Sequence, residues 1–326
     1  MRMKQIFCTI GPASLNNNFF KGIKNSRVSI IRINLSHTKI IDLKKVINKI
    51  RKKTRISICL DTEGAQIRTS FKKKKFLKKN QIIKIDNNLN SNYLSLYPNI
   101  FKQIKKNFIL DIGFENLKIK IINSKNNYLL GKVISSGYLD NNKGTHIVGH
   151  KIALPPLTKK DIKAIQIGKK LNIKHFALSF TNSAKDVLFF NKMLPNSYKI
   201  FKIETKEGVK NLNSILKISD NILIDRGDLS KDIELMNVPL VQRKIQKLAA
   251  KRKKNVFVAT NLLESMIENS YPTRAEINDI YNCLELGASG LVLAAETAVG
   301  KWPLKCVDML SSVIQTFEKD SRKKGN

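Results

Sequence analysis

The 326 residues include 60 Lys and Arg against 25 Asp and Glu, for a formal net charge of +35, and 42% of them are hydrophobic. That is ordinary content for a soluble globular protein, long enough to bury a substantial core as one large domain or one domain carrying an insertion. The four cysteines (Cys8, Cys59, Cys283, Cys306) form no C-x-x-C pair, which argues against a disulfide framework or zinc site and for a reducing cytoplasm; no window has the apolar length to cross a bilayer, and MRMKQIFCTIGPAS lacks the apolar core of a signal peptide.

In chain order, Lys4 to Thr9 (KQIFCT) predicts a first strand, closed by Gly11-Pro12. A helix around Phe19 to Ile23 leads to a second strand, Ser29 to Asn34. Asp42 to Lys52 is an amphipathic basic helix, and a third strand, Ile56 to Leu60, ends in Asp61-Thr62-Glu63-Gly64. Strand–helix steps of this length imply parallel strands with right-handed crossovers. From about Ser70 to Gly149 the helical period disappears. Short alternating stretches (QIIKI, NLKIKIIN, NYLLGKVIS) separated by Asn and Gly turns predict an inserted all-β unit. The chain returns at IALPP, Ile152 to Pro156, followed by a helix from Thr158 to Leu171, for which Thr158 and Asp161 suggest an N-cap.

Five further strands follow: His175 to Ser179, Lys199 to Lys202, Asn221 to Ile224, Asn255 to Thr260 and Gly290 to Leu293. The resulting eight parallel strand–helix units predict a closed α/β fold, a (β/α)8 barrel of the TIM type, whose active site lies at the C-terminal strand ends. The expected division is a discontinuous barrel at residues 1–69 and 151–318, a β unit at 70–150 and a basic tail at 319–326. Chemically capable side chains collect at those strand ends: Thr9, Arg32, Asn34, Asp61, Ser179, Lys202, Glu204, Asp228, Thr260 and Glu296. The stretch Lys199 to Leu229 is the densest. Lys202 and Glu204 share one face of a strand, and the next strand empties into Arg226-Gly227-Asp228. Two carboxylates beside a lysine suit a hard cation and an anionic substrate.

The positive charge is spread over the whole chain together with abundant Asn and Ile, as an AT-rich genome would produce. Only KKKKFLKK at Lys72 to Lys79 and KRKK at Lys251 to Lys254 are dense runs, and no nucleic-acid-binding motif accompanies them. Nucleic acid and membrane are therefore not expected as partners.

Together the strand ends resemble the pyruvate kinase family. The resemblance rests on FCTIGPAS (Phe7 to Ser14), RINLSH (Arg32 to His37), LDTEGAQIRT (Leu60 to Thr69) and IALPPLTKKD (Ile152 to Asp161). It continues through FKIETKEGV (Phe201 to Val209), RGDL (Arg226 to Leu229), ATNLLESM (Ala259 to Met266), PTRAE (Pro272 to Glu276) and ETAVGKWP (Glu296 to Pro303). It implies a catalytic barrel with a small inserted β-barrel lid, and phosphoryl transfer from phosphoenolpyruvate to ADP, a cytoplasmic step of glycolysis that yields pyruvate and ATP.

Residue by residue, the resemblance implies that Glu204 and Asp228 hold Mg²⁺. Lys202 would stabilise the phosphoryl group in flight and the enolate, with Arg32 and Arg68 gripping phosphate. Gly227 and Asp228 would receive the substrate carboxylate, and Thr260 would help relay the proton that makes pyruvate. Asn34, Ser36, Asp61 and the carbonyl of Thr62 match a K⁺ site. Asn34, His37, Arg68 and Lys143 match nucleotide contacts. The family's C-terminal α/β domain has no counterpart before the chain stops at KDSRKKGN, so a homo-oligomer is open but the usual regulated tetramer is not expected.

Departures from the family pattern stand at Glu63, Ala65, Gln66, Ile112, Asn182, Asp225, Asn261 and Ala295. Glu63 and Asp225 add negative charge beside an anionic-substrate site, which weakens binding unless compensated. Two alternatives accompany the leading reading: a relative acting on another enolpyruvate or 2-oxo acid, and a non-catalytic basic binding protein on the same scaffold.

Overall fold

The computed structural model describes residues 3–113, 116–125, 127–150 and 152–323. Their contacts divide the chain into two compact units, one drawn from residues up to Gly64 and from Lys159 onward, the other from Ala65–Thr158. The first unit opens with strands β1 (Gln5–Thr9), β2 (Val28–Asn34) and β3 (Ser57–Asp61). The second contains β4 (Ile67–Ser70), β5 (Lys75–Leu77), β6 (Ile82–Asp86), β7 (Leu94–Tyr97), β8 (Ile109–Ile112), β9 (Leu117–Ser124), β10 (Tyr128–Ser135), β11 (Gly137–Leu139) and β12 (Gly144–Ile147). The first unit resumes with β13 (His175–Leu178), β14 (Tyr198–Ile203), β15 (Asn221–Asp225), β16 (Asn255–Ala259) and β17 (Gly290–Leu293).

Helices α1 (Asn17–Gly22) and α2 (Ile40–Arg51) precede the second unit. After it come α3 (Lys159–Lys170), α4 (Ala184–Met193), α5 (Lys206–Lys210), α6 (Leu212–Ile218), α7 (Arg226–Asp232) and α8 (Val238–Lys251). The last three are α9 (Arg274–Glu285), α10 (Ala295–Ala298) and α11 (Pro303–Lys323).

The eight strands of the first unit close a barrel in the order β1-β17-β16-β15-β14-β13-β3-β2, and neighbouring pairs run parallel. Each strand supplies an apolar residue to one interior cluster: Phe7, Ile30, Cys59, Ala177, Ile200, Leu223, Phe257 and Val292. Because side chains alternate faces, the residues two further along the strands also point inward, toward the C-terminal mouth. Outside, α2 turns Leu43, Ile47 and Ile50 to the sheet and leaves Lys44, Lys45 and Lys49 in solvent, so its basic charge lies on the wet face. The matched PTRAE run has a local cause. Thr273 and Glu276 form a capping box that starts α9, and Glu276 also receives the Ser265 amide at 2.7 Å.

The second unit is a separate seven-stranded closed barrel, β10-β6-β7-β4-β12-β8-β9, with a two-stranded sheet of β11 and β5. Its own core includes Ile85, Leu110, Ile112, Ile119, Leu129 and Val133. The boundary falls earlier than residue 70 because Ile67–Ser70 pairs with β7 and β12, and later than 150 because Ile152 and Leu154 pack against this core. The run Lys72 to Lys75 is exposed, with Lys74 Nζ 4.8 Å from the Tyr138 ring centroid. Residues 319–323 of the expected tail are helical, because the apolar stripe of α11 reaches Phe317; residues 324–326 lie outside the described residues. Among the described residues, no helix is long and apolar enough to cross a membrane.

All four cysteines are free and buried in the first unit. Burial raises every thiol, Cys283 to about 11 and Cys306 to about 12. Native protein at pH 8 is therefore expected to release almost no chromophore from Ellman's reagent, with all four thiols reacting after denaturation. Rapid native labelling would contradict this packing.

Candidate active site

Two residues beyond the apolar interior layer, the strands place Thr9, Arg32, Asp61, Ser179, Lys202 and Asp225 at the barrel mouth, each of them buried. Arg32 Nε donates to Asp61 Oδ2 at 2.7 Å, and Arg32 Nη1 donates to Thr9 Oγ1 at 2.9 Å. Strand register makes this possible, since Thr9 lies beside Arg32 and Arg32 beside Cys59 across the parallel ladder. Ser179 Oγ lies 2.7 Å from the Thr62 carbonyl and 3.1 Å from Asp61 Oδ1.

Lys202 is the centre of charge, at 3% exposure. Its Nζ stands 2.7 Å from Glu204 Oε1 and 3.3 Å from both Asp61 Oδ2 and Asp225 Oδ2. Burial alone would favour the neutral amine, but Asp61, Glu204 and Asp225 outweigh it and hold the ammonium above its usual range. The cation is permanent and fixed. Burial similarly opposes charge on Arg32, and Asp61 with Asp225 restores it.

Glu204 follows Lys202 by two residues and points the same way. Its Oε2 receives the Phe180 amide at 2.5 Å. Its Oε1 has the Lys202 ammonium at 2.7 Å as an ion-pair partner and no further donor. Burial, reinforced by Asp228 and Asp225, pushes the Glu204 carboxyl up to about 8 against the pull of Lys202. Oxygens of Glu204, Asp225 and Asp228 lie within 4.8 Å of one another. A buried carboxylate oxygen whose one partner is an ammonium shared with Asp61 and Asp225, in a set of hard oxygen ligands, fits a divalent cation.

The strand β15 passes straight into α7, so Arg226-Gly227-Asp228 is helical rather than loop. The Gly227 amide donates to Thr260 Oγ1 at 2.7 Å, and Arg226 Nη2 donates to the Thr260 carbonyl at 2.6 Å. Thr260 holds φ +69, where a β-branched side chain is an outlier costing on the order of 1–3 kcal/mol. The clamp from Arg226 and Gly227 maintains it.

The sequence model of the pyruvate kinase barrel domain matches residues 1–307. A pyruvate kinase of Thermotoga maritima is 34% identical over 339 aligned positions, covering 98% of this chain and 72% of that protein. The chain belongs to the pyruvate kinase family. Pyruvate kinases of Staphylococcus aureus (strain MRSA252) and Staphylococcus saprophyticus are 32% and 31% identical across 98% of this chain. The chain spans 57% of the length of these staphylococcal relatives.

Several residues that frame this pyruvate kinase barrel mouth carried no role from sequence. Asp161 was expected beside a helix cap. Helix α3 begins at Lys159, directly after Thr158, and the buried Asp161 carboxylate also receives the Glu63 amide at 2.8 Å and the Gly64 amide at 3.1 Å, fixing the turn after β3. Glu63 is neutralised locally by Lys160, whose Nζ donates to it at 2.8 Å. Gly64 sits at φ +70, and a Cβ there would lie 2.7 Å from the Ser179 carbonyl oxygen. Gly64→Ala is expected to destabilise the first unit by more than about 1 kcal/mol, read as a lower urea midpoint. An unchanged midpoint would mean the turn relaxes freely.

The remaining candidates are dispersed. Asn34 is the register partner of Asp61, and Asn34 Oδ1 accepts the Ser36 amide at 2.9 Å. The Thr62 carbonyl is the one facing Ser179 Oγ, and His37 is exposed on the turn after β2. Arg68 and Lys143 belong to the second unit. There Arg68 pairs with Gly144 across β4 and β12, and the Lys143 amide donates to Thr69 Oγ1 at 2.9 Å.

Proposed function

We propose that this chain transfers the phosphoryl group of phosphoenolpyruvate to ADP, giving pyruvate and ATP. The observation that carries the reading is the fixed, buried ammonium of Lys202 at the C-terminal mouth of the barrel, ringed by three carboxylates. The reaction breaks the bond between phosphorus and the enol oxygen and forms one to the terminal phosphate of ADP. Lys202 stabilises the negative charge that passes onto the transferred group and the departing enolate. Arg32, held in place by Asp61 and Thr9, fixes phosphate oxygens with a guanidinium that stays charged. Thr260, clamped with its hydroxyl beside Gly227, serves the proton delivery that turns enolate into pyruvate.

Glu204 and Asp228 are the residues to hold Mg²⁺, which when bound neutralises substrate carboxylate and phosphate oxygens. Gly227 and Asp228 are assigned to the substrate carboxylate on the family resemblance, an arriving carboxylate replacing Thr260 Oγ1 as the partner of the Gly227 amide. Asn34, Ser36, Asp61 and the Thr62 carbonyl are assigned to K⁺, and Asn34 and His37 to the nucleotide. Arg68 and Lys143 are proposed as phosphate and nucleotide contacts on the family resemblance alone. A cytoplasmic setting agrees with the four free, buried thiols.

A coupled assay with phosphoenolpyruvate, ADP and Mg²⁺, with and without K⁺, tests the proposal. Turnover abolished by EDTA supports it. A well-folded protein without turnover refutes it, and decarboxylation of oxaloacetate without ADP would point to the second enzymatic reading.

A further inference from the structure

Asp225 ends β15 two residues after the interior Leu223, so its carboxylate enters the barrel mouth rather than the helical layer. It is 4% exposed, and its Oδ2 is 3.3 Å from Lys202 Nζ. One of its oxygens also converges with those of Glu204 and Asp228 within 4.8 Å. The second observation is the buried Glu204 Oε1, whose one partner is the Lys202 ammonium at 2.7 Å that Asp61 and Asp225 share, while Oε2 is satisfied by Phe180. Glu204 and Asp225 are buried and Asp228 is partly exposed, and gathering three carboxylates there is unfavourable unless positive charge joins them. Lys202 is a single charge already facing Asp61 as well. Arg32 faces Asp61 and acts on Asp225, and Lys231 Nζ is 2.7 Å from Asp228 Oδ1, so three cations meet the four carboxylates Asp61, Glu204, Asp225 and Asp228 and one negative charge is left over.

We propose that Asp225 is a third carboxylate ligand of the divalent-cation site, so that this chain binds the cation tightly before, and without, an anionic substrate. The inference rests on the reading of Glu204 and Asp228 as cation ligands. Two carboxylates balance a doubly charged cation, whereas three leave one negative charge over. The added ligand strengthens metal binding, since affinity for hard cations rises with carboxylate count. The same surplus repels a substrate carboxylate arriving at the loaded site. Asp225 therefore sets the order and balance of binding: tight metal, weaker anion.

The test measures Mn²⁺ binding to the full chain by calorimetry and electron paramagnetic resonance in the absence of substrate. Oxalate is then titrated into the Mn²⁺-loaded protein. Native protein should bind one Mn²⁺, and Asp225→Ala and the similarly sized Asp225→Asn should weaken it by about tenfold or more. Both variants should bind oxalate more tightly once Mn²⁺ is saturating. Glu204→Gln and Asp228→Asn should lose the Mn²⁺ site. If those two lose it while both Asp225 variants keep native affinity, the inference falls and the reading of Glu204 and Asp228 stands. If Glu204→Gln and Asp228→Asn bind Mn²⁺ as well as native, that reading falls, and the inference with it. Native protein that takes up Mn²⁺ only together with oxalate also overturns the inference. Far-ultraviolet dichroism confirms folding, and either Asp225 variant alone suffices.

Discussion

Lys202→Met is expected to lower pyruvate formation by on the order of 10³-fold, with the protein still folded at room temperature. Methionine fills most of the lysine's volume, so packing against the barrel interior is retained and the change is mainly one of charge. What disappears is the sole buried ammonium facing Asp61, Glu204 and Asp225 among the described residues. The chemical consequence is loss of the cation opposite the developing enolate. The structural consequence is three carboxylates left facing one another, with Arg32 bonded to Asp61 and acting on Asp225 but no cation left beside Glu204. Stability should fall by about 3–5 kcal/mol, the usual cost of breaking a buried pair, out of a total of about 5–15 kcal/mol. Mg²⁺ should then raise the melting temperature of Lys202→Met more than that of native protein. Initial rates and thermal melts with and without Mg²⁺ check both effects. A variant within tenfold of native turnover would remove Lys202 from the chemistry.

Asp61→Asn is expected to act chiefly on stability, again by about 3–5 kcal/mol. Asp61 Oδ2 is shared by Arg32 and Lys202, and its residue is 1% exposed. Asparagine keeps the shape but removes the charge that justifies two buried cations side by side. Trp302 is the chain's single tryptophan and lies in the first unit, so its fluorescence during urea unfolding reports that unit. The double variant Asp61→Asn with Lys202→Met should be less destabilised than the sum of the two, because each change removes the other's unpaired charge. Strict additivity would mean the 3.3 Å approach of Asp61 and Lys202 carries no energy.

Much of the barrel was readable because period-two strands and helical stripes repeat with one rhythm, and because Thr9, Arg32, Asp61, Lys202 and Glu204 fall at strand ends. The inward face of Asp225 was implicit in the same alternation, two residues from Leu223. Its convergence with Glu204 and Asp228 was not, since β14 and α7 must first be placed side by side. Asp161 was read as a helix-cap residue because local spacing allows that; its bonds to the amides of Glu63 and Gly64, nearly a hundred residues away, lay beyond local spacing. Thr260 gave no sign of its φ of +69, which is imposed by Arg226 and Gly227 rather than by its neighbours in sequence. The start of the second unit was displaced for a related reason: LDTEGAQIRT reads as one motif, yet its last residues pair within another barrel.

The four enclosed thiols make the native chain a silent background for site-directed spin or fluorophore labelling. A cysteine placed at an exposed position such as Lys74, and another at Lys45, could be labelled without deleting Cys8, Cys59, Cys283 or Cys306. One such pair spans the two compact units. Distances measured across it with and without nucleotide would then report whether the spacing of the units responds to ligand, on a chain whose own sulfurs stay out of reach of the reagent.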